Sequence, residues 1–186
     1  MAVLVEALSV IVRADRLLEV YADDWEGFKA DVPNKTLCAD GELVRVGFMA
    51  PDDAKSFIAM LESRGLRYLV DGQTGDIAVF DQRQGPLDTC DWAEFGHIEI
   101  AGEGPQQLAA VRLKGSNLKM IVRPEGWEYK TSLSASHLFV ALPEVEKKMK
   151  HLGSENGTEK YLNLETGKTF YIGRTERHDP HGGYGI

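Results

Sequence analysis

The period of the apolar positions changes in a fixed order over the first part of this chain, and that order predicts strand, helix, strand, strand, helix, strand. Val3 to Val12 is a nearly unbroken run of Val, Leu and Ile, as expected of one central strand covered on both faces. Ala14, Leu17, Leu18 and Tyr21 then recur at helical spacing, and Asp23-Asp24 is placed to cap a second helix carrying Trp25 and Phe28. Thr36 to Cys38 and Leu43 to Phe48 flank Asp40-Gly41, a hairpin signal because Gly tolerates positive φ. Pro51-Asp52-Asp53 opens the clearest helix, with Ala54, Phe57, Ile58 and Leu61 on one face and Gly65 as its stop. Leu66 to Val70 and Ile77 to Phe80 are expected to pair across residues 71–76.

Residues 81–86, the first polar stretch holding both Gly and Pro, suggest a boundary. Beyond it the pattern predicts short strands at His97 to Ile100, Leu108 to Leu113 and Leu118 to Val122, the last two joined as a hairpin through residues 114–117. Gly126 to Tyr129 would continue the sheet. His137 to Leu142 reads as apolar and extended, and Pro143 starts a short helix with Val145, Met149 and Leu152 on its buried stripe and Gly153 at its end. Tyr161 to Leu164 and Thr169 to Ile172 flank Thr166-Gly167 as a final hairpin. The expected architecture is α+β: a ferredoxin-like βαββαβ unit with a mostly antiparallel sheet over 1–82, a β-rich unit with one short helix over 83–186 that packs with it, and a flexible tail over 175–186.

Composition changes this picture little and narrows the context. With 186 residues, 43% of them hydrophobic, the chain can bury a core without metal or disulfide help. Only Cys38 and Cys90 are present, a count that suits a reducing cytoplasm better than a stapled secreted domain. Met1 to Val5 lacks the basic start of a signal peptide, and no apolar run reaches the ~18 residues of a membrane span. The net charge of −8, without a dense Lys/Arg tract, argues against nucleic acid as a partner and leaves a basic protein as the electrostatically favoured one.

Chemistry-bearing residues are sparse. Cys90 to His97 places a thiol, two acids and an imidazole in one segment, making Cys90 and His97 candidates for nucleophile and base. Extended backbone would put Cys90, Trp92 and Glu94 on one side and His97 on the other, which separates the pair. His178 and His181 with Asp179 are candidate metal ligands, set in a Pro- and Gly-rich tail that offers little rigid backbone. Asp23-Asp24 and Asp52-Asp53 are explained by helix starts. No phosphate-loop, dinucleotide or hydrolase motif is present, and no cofactor is implied. Trp92, Glu94, Trp127 and Tyr129 are the candidate binding residues, since aromatic side chains dominate interface energetics.

Three classes of function remain. The leading expectation is a non-catalytic interaction module whose acidic surface binds a basic partner, by analogy of charge and fold with bacterial immunity proteins and antitoxins. A ligand-binding regulatory domain, paired edge to edge as a homodimer, is the second. An enzyme centred on Cys90 is the third.

Overall fold

The computed structural model describes residues 1–21, 24–100, 106–117, 120–136, 149–155, 158–164, 167 and 169–173. The chain is α+β, with antiparallel sheets predominating. Strands β1 (Ala2–Val5) and β2 (Leu8–Arg13) lead into helices α1 (Ala14–Val20) and α2 (Trp25–Asp31). Asp24 caps α2 by accepting the Gly27 N–H at 2.9 Å. Strands β3 (Cys38–Ala39) and β4 (Leu43–Phe48) form the expected hairpin. Its turn closes because Asp40 accepts the backbone N–H groups of Glu42 and Leu43 while Gly41 takes φ +90°. Helix α3 (Pro51–Ser63) buries Ala54, Phe57, Ile58 and Leu61 as the spacing predicts, and Gly65 follows it at φ +111°. Asp52 and Asp53 lie in its first turn, where the helix dipole favours them.

After α3 come β5 (Leu69–Val70), β6 (Gln73–Thr74), β7 (Ile77–Asp81) and β8 (Gly85–Pro86). Then follow β9 (Ala93–Ile100), β10 (Gln106–Leu113), β11 (Ile121–Val122), a 3₁₀ turn at Tyr129–Thr131 and the short helix α4 (Leu133–Ser136). Strands β12 (Met149–Glu155), β13 (Thr158–Asn163) and β14 (Thr169–Gly173) form a separate antiparallel sheet, and the β13–β14 pairing realises the final hairpin.

Two sheets and a helical layer build the core. The five-stranded sheet has the order β3-β4-β2-β7-β8, with β2 in the middle and every pairing antiparallel. Its side chains alternate between two hydrophobic clusters. Val10, Val12, Val44, Val46, Ile77 and Val79 meet Leu17, Phe28, Phe57, Ile58 and Leu61 of the helices. Ile11, Leu43, Ala78 and Phe80 point the other way, onto Val3, Val5, Ala109 and Val111 of a second sheet of order β11-β1-β10-β9. A strand buried on both faces reads as a continuous apolar run, which is why the stretch around β2 lacks polar alternation.

Several expectations are corrected. Val3 to Val12 is not one strand but two, in different sheets, because Ala7 adopts φ +52° and redirects the chain. Leu66 to Val70 forms no strand ladder with Ile77 to Phe80, and a single hydrogen bond, from the Ile77 N–H to the Arg67 carbonyl at 3.1 Å, joins the two segments. Asp71 and Gly72 both take positive φ and fold Leu69–Val70 back onto Gln73–Thr74, which leaves Ile77–Asp81 free to join β2. The turn at residues 114–117 forms, but its flanks do not pair with each other. Strand β1 lies between them, antiparallel to β10 and parallel to β11. Gly126 to Tyr129 makes turns instead of extending a sheet, with the Trp127 N–H donating to the Pro124 carbonyl at 3.2 Å. Met149–Glu155 is a strand rather than the end of a helix, and Gly153, at φ +123°, lies where its register shifts. The expected strand at 137–142, the helix start at 143–148 and the tail at 175–186 lie outside the described residues. Among the described residues no helix is long and apolar enough to cross a membrane.

Candidate functional site

The break between β1 and β2 brings charged groups into the interior. The left-handed turn at Ala7 leaves backbone groups that neither sheet can pair, and side chains take them up. Ser9 Oγ donates to the Glu6 carbonyl at 3.0 Å and accepts the Glu6 N–H at 3.3 Å. Gln82 Oε1 accepts the Ala7 N–H at 3.0 Å, and the Gln82 N–H donates to the Ala7 carbonyl at 3.0 Å. Arg45, on β4, enters the same interior with its charge fully buried. It donates to Ser9 Oγ at 3.0 Å, to the Thr36 carbonyl at 3.0 Å and to the Glu6 carbonyl at 2.9 Å. Burial lowers the affinity of its guanidinium for the proton, while the nearby Cys38 and Glu6 act in the opposite direction. Gly47 makes room for this group, since a Cβ at that position would collide with the Arg45 guanidinium.

The Glu6 carboxylate faces the segment that follows β11. Its Oε1 accepts the Ser134 N–H at 2.9 Å and the Ser134 hydroxyl at 2.6 Å, and its Oε2 accepts Trp127 Nε1–H at 3.0 Å. Residues 127–134 are thereby strapped to the junction of the two sheets. The indole is fixed from one edge, and one of its faces carries the Arg123 guanidinium, 5.0 Å from the ring centroid. Tyr129 meets the same ring edge to face at 6.3 Å. Glu125, Glu128 and Arg123 are exposed around this corner.

The Cys90 to His97 segment enters the second sheet at its edge strand. Strand β9 starts at Ala93, so Cys90 precedes it. His97 Nε2 lies 3.1 Å from the Gln82 carbonyl, and its ring meets Phe95 edge to face at 5.1 Å. Among the described residues no hydrogen bond joins His97 to Cys90. Cys90, Trp92, Ala93 and Phe95 pack against the core between the sheets. Glu94 pairs across the ladder with Arg112, at 2.6 Å from Nη2 and 2.8 Å from Nε. Trp92 Nε1 is buried without a hydrogen-bond partner. Cys38, buried at the base of β3, has its thiol pushed up to about 11 by burial, the nearby Arg45 only partly offsetting it. Both cysteines are free thiols.

His178 and His181 lie outside the described residues, and among the described residues no group of three or more His, Cys, Asp and Glu side chains is arranged to hold a metal ion. A second polar cluster is structural in character: Asp76, at the head of β7, accepts the Arg67 N–H at 3.0 Å and the side chains of Arg67 and Arg16 at 3.2 Å each.

Of the sequence-derived binding residues, the structure brings Trp127 and Tyr129 together and places Trp92 and Glu94 elsewhere, at the rim of the second sheet. Glu6, Arg45, Gln82 and Arg123 escaped the sequence reading. Two of them carried a signal: an acid and an arginine interrupt strand-like apolar runs, Val3 to Val12 and Leu43 to Phe48, and a charge inside such a run must find buried partners. No protein-family profile, no curated protein and no solved structure matches this chain.

Proposed function

We propose that the chain is a non-catalytic interaction module that receives a basic partner protein on an acidic, apolar-tipped surface, in the manner of immunity proteins and antitoxins. One observation carries this reading. Leu69 and Val70 on β5 and Leu87 after β8 are 47%, 38% and 49% exposed, and Asp71, Asp88 and Asp91 flank them in sequence. The two segments lie together, since Gln73 bridges Thr89 in parallel and the Thr74 N–H donates to the Thr89 carbonyl at 2.9 Å. Arg67, the base nearest Leu69 and Val70 in sequence, has its guanidinium turned onto Asp76, and Arg83 is the base nearest Leu87. Exposed aliphatic side chains with acids beside them suit a partner that presents apolar anchors within a basic surround.

The finer fold reading belongs to the same proposal. The order β3-β4-β2-β7 with α1, α2 and α3 on one face supports a ferredoxin-like unit within residues 1–82. Two free thiols support a reducing, cytoplasmic setting.

The test is affinity capture from the native lysate with the full chain and with an L69S/L87S variant, both substituted positions being exposed enough to leave the fold intact. A basic protein retained in stoichiometric amount by the parent chain, released by salt and lost by the variant is the expected result. Capture that ignores the two leucines, or a captured partner that is acidic, overturns the reading.

A further inference from the structure

We propose that the Trp127 corner is a seat for a cationic side chain of the partner, and that Arg123 occupies it in the free protein as an intramolecular stand-in. The inference rests on the reading that the partner is basic, and it adds a second contact of defined chemistry.

Three observations converge on it. The indole is oriented in the free protein, because its Nε1–H donates to Glu6, an acid only 9% exposed that is itself anchored by both donors of Ser134. A preformed ring spares the partner the entropy of ordering it. The ring face already carries a guanidinium at 5.0 Å, so the geometry for a cation over the indole is realised within the molecule. Tyr129 stands edge to face against the ring, and Glu125 and Glu128 are exposed beside it in the chain, where they counter the charge of Lys130 on the same stretch.

Arg123 is exposed and precedes Pro124, and no hydrogen bond or ion pair is seen for it among the described residues besides the ring contact. Its guanidinium can leave the ring without breaking the strap that Glu6 holds. A partner arginine or lysine would take the vacated face, with Glu125 and Glu128 on either side of the indole in sequence. Exchange of one cation for another costs little, so the corner would contribute selectivity for basic partners more than affinity, and removing the resident cation would strengthen binding.

The experiment titrates the full ¹⁵N-labelled chain with hexa-arginine amide and, separately, with hexa-glutamate, following the Trp127 indole N–H and the amides of residues 123–129. The R123Q variant is compared with K55Q, which removes one positive charge from α3 on the helical layer. The expected result is that hexa-arginine shifts the Trp127 indole signal, hexa-glutamate does not, and R123Q binds the cationic peptide about fivefold more tightly, whereas K55Q changes affinity less than twofold. Equal gains in both variants, weaker binding by R123Q, or an unmoved Trp127 signal would overturn the inference. If hexa-arginine shifts only the signals of residues 68–74 and 86–91, this inference falls and the broader reading stands. If it binds no variant anywhere, this inference falls, and the broader reading is decided by the capture experiment with L69S/L87S.

Discussion

Asp76 shows how a single residue can join three elements. Burial alone would raise its carboxyl, but the Arg67 side chain and backbone N–H, together with the Arg16 guanidinium, outweigh that and hold it below the ordinary carboxylate range. Its backbone takes part as well, because the Arg13 N–H donates to the Asp76 carbonyl at 3.0 Å and the Asp76 N–H to the Arg67 carbonyl at 2.7 Å. A carboxyl depressed on folding stabilises the native state above its unfolded value of about 4, and that contribution fades as pH falls through the folded value. Denaturant titrations from pH 6 down to pH 3 should therefore show the parent chain losing stability more steeply than D76N, whose curve starts lower and flattens. Parallel curves would mean that the arginines are bound too loosely to matter. The sequence held a hint of this residue, an acid directly before an apolar strand, but the two arginines lie 60 and 9 positions away. No local spacing reports such a convergence.

At the scale of elements, the strap from Trp127 to Ser134 depends on one carboxylate. Replacing Glu6 by Gln keeps the shape but turns one acceptor into a donor that faces either the indole N–H or the Ser134 donors. The expected loss is about 1–3 kcal/mol, the penalty for leaving a buried polar group unpaired. Hydrogen exchange at the Ser134 amide should accelerate more than at β2, which has its own ladders. Unchanged protection at Ser134 would assign the strap to the packing of α4 on β10 instead. Helices α1 to α3, the β3–β4 hairpin and the β13–β14 hairpin were legible because caps, Gly turns and apolar spacing are local properties. The division of β1 from β2 was not, since Ala7 is an ordinary residue in a left-handed conformation and nothing in the run from Val3 to Val12 announces a turn.

Across the whole molecule, the two halves of the chain are interleaved. Strand β1 belongs by sequence to the first half, yet both of its neighbours, β10 and β11, come from the second. Residues 1–82 alone would expose Val3, Val5, Ile11 and Phe80, all fully buried in the intact protein. Burying one such side chain is worth about 1.5–3 kcal/mol, so losing the cover of several exceeds what a domain of this size has in reserve. A fragment of residues 1–82 should accordingly lack a cooperative thermal transition, whereas the full chain should show one. A fragment that melts cooperatively near the temperature of the full chain would establish an autonomous N-terminal domain.

Read by itself, the sequence determined the α+β class, the positions of helices α1 to α3 and of the turns at 40–41 and 114–117, the buried face of α3, and the acidic balance. Each of these follows from side-chain period, turn chemistry or composition, which act over a few residues or over the chain as a sum. Only the tertiary structure decided that β1 leaves the first sheet for the second, that Ile77–Asp81 joins β2, and that Glu6 meets Trp127 across 121 positions. Such pairings are settled by which apolar faces cover one another and by where buried charges find partners, and both depend on the fold as a whole.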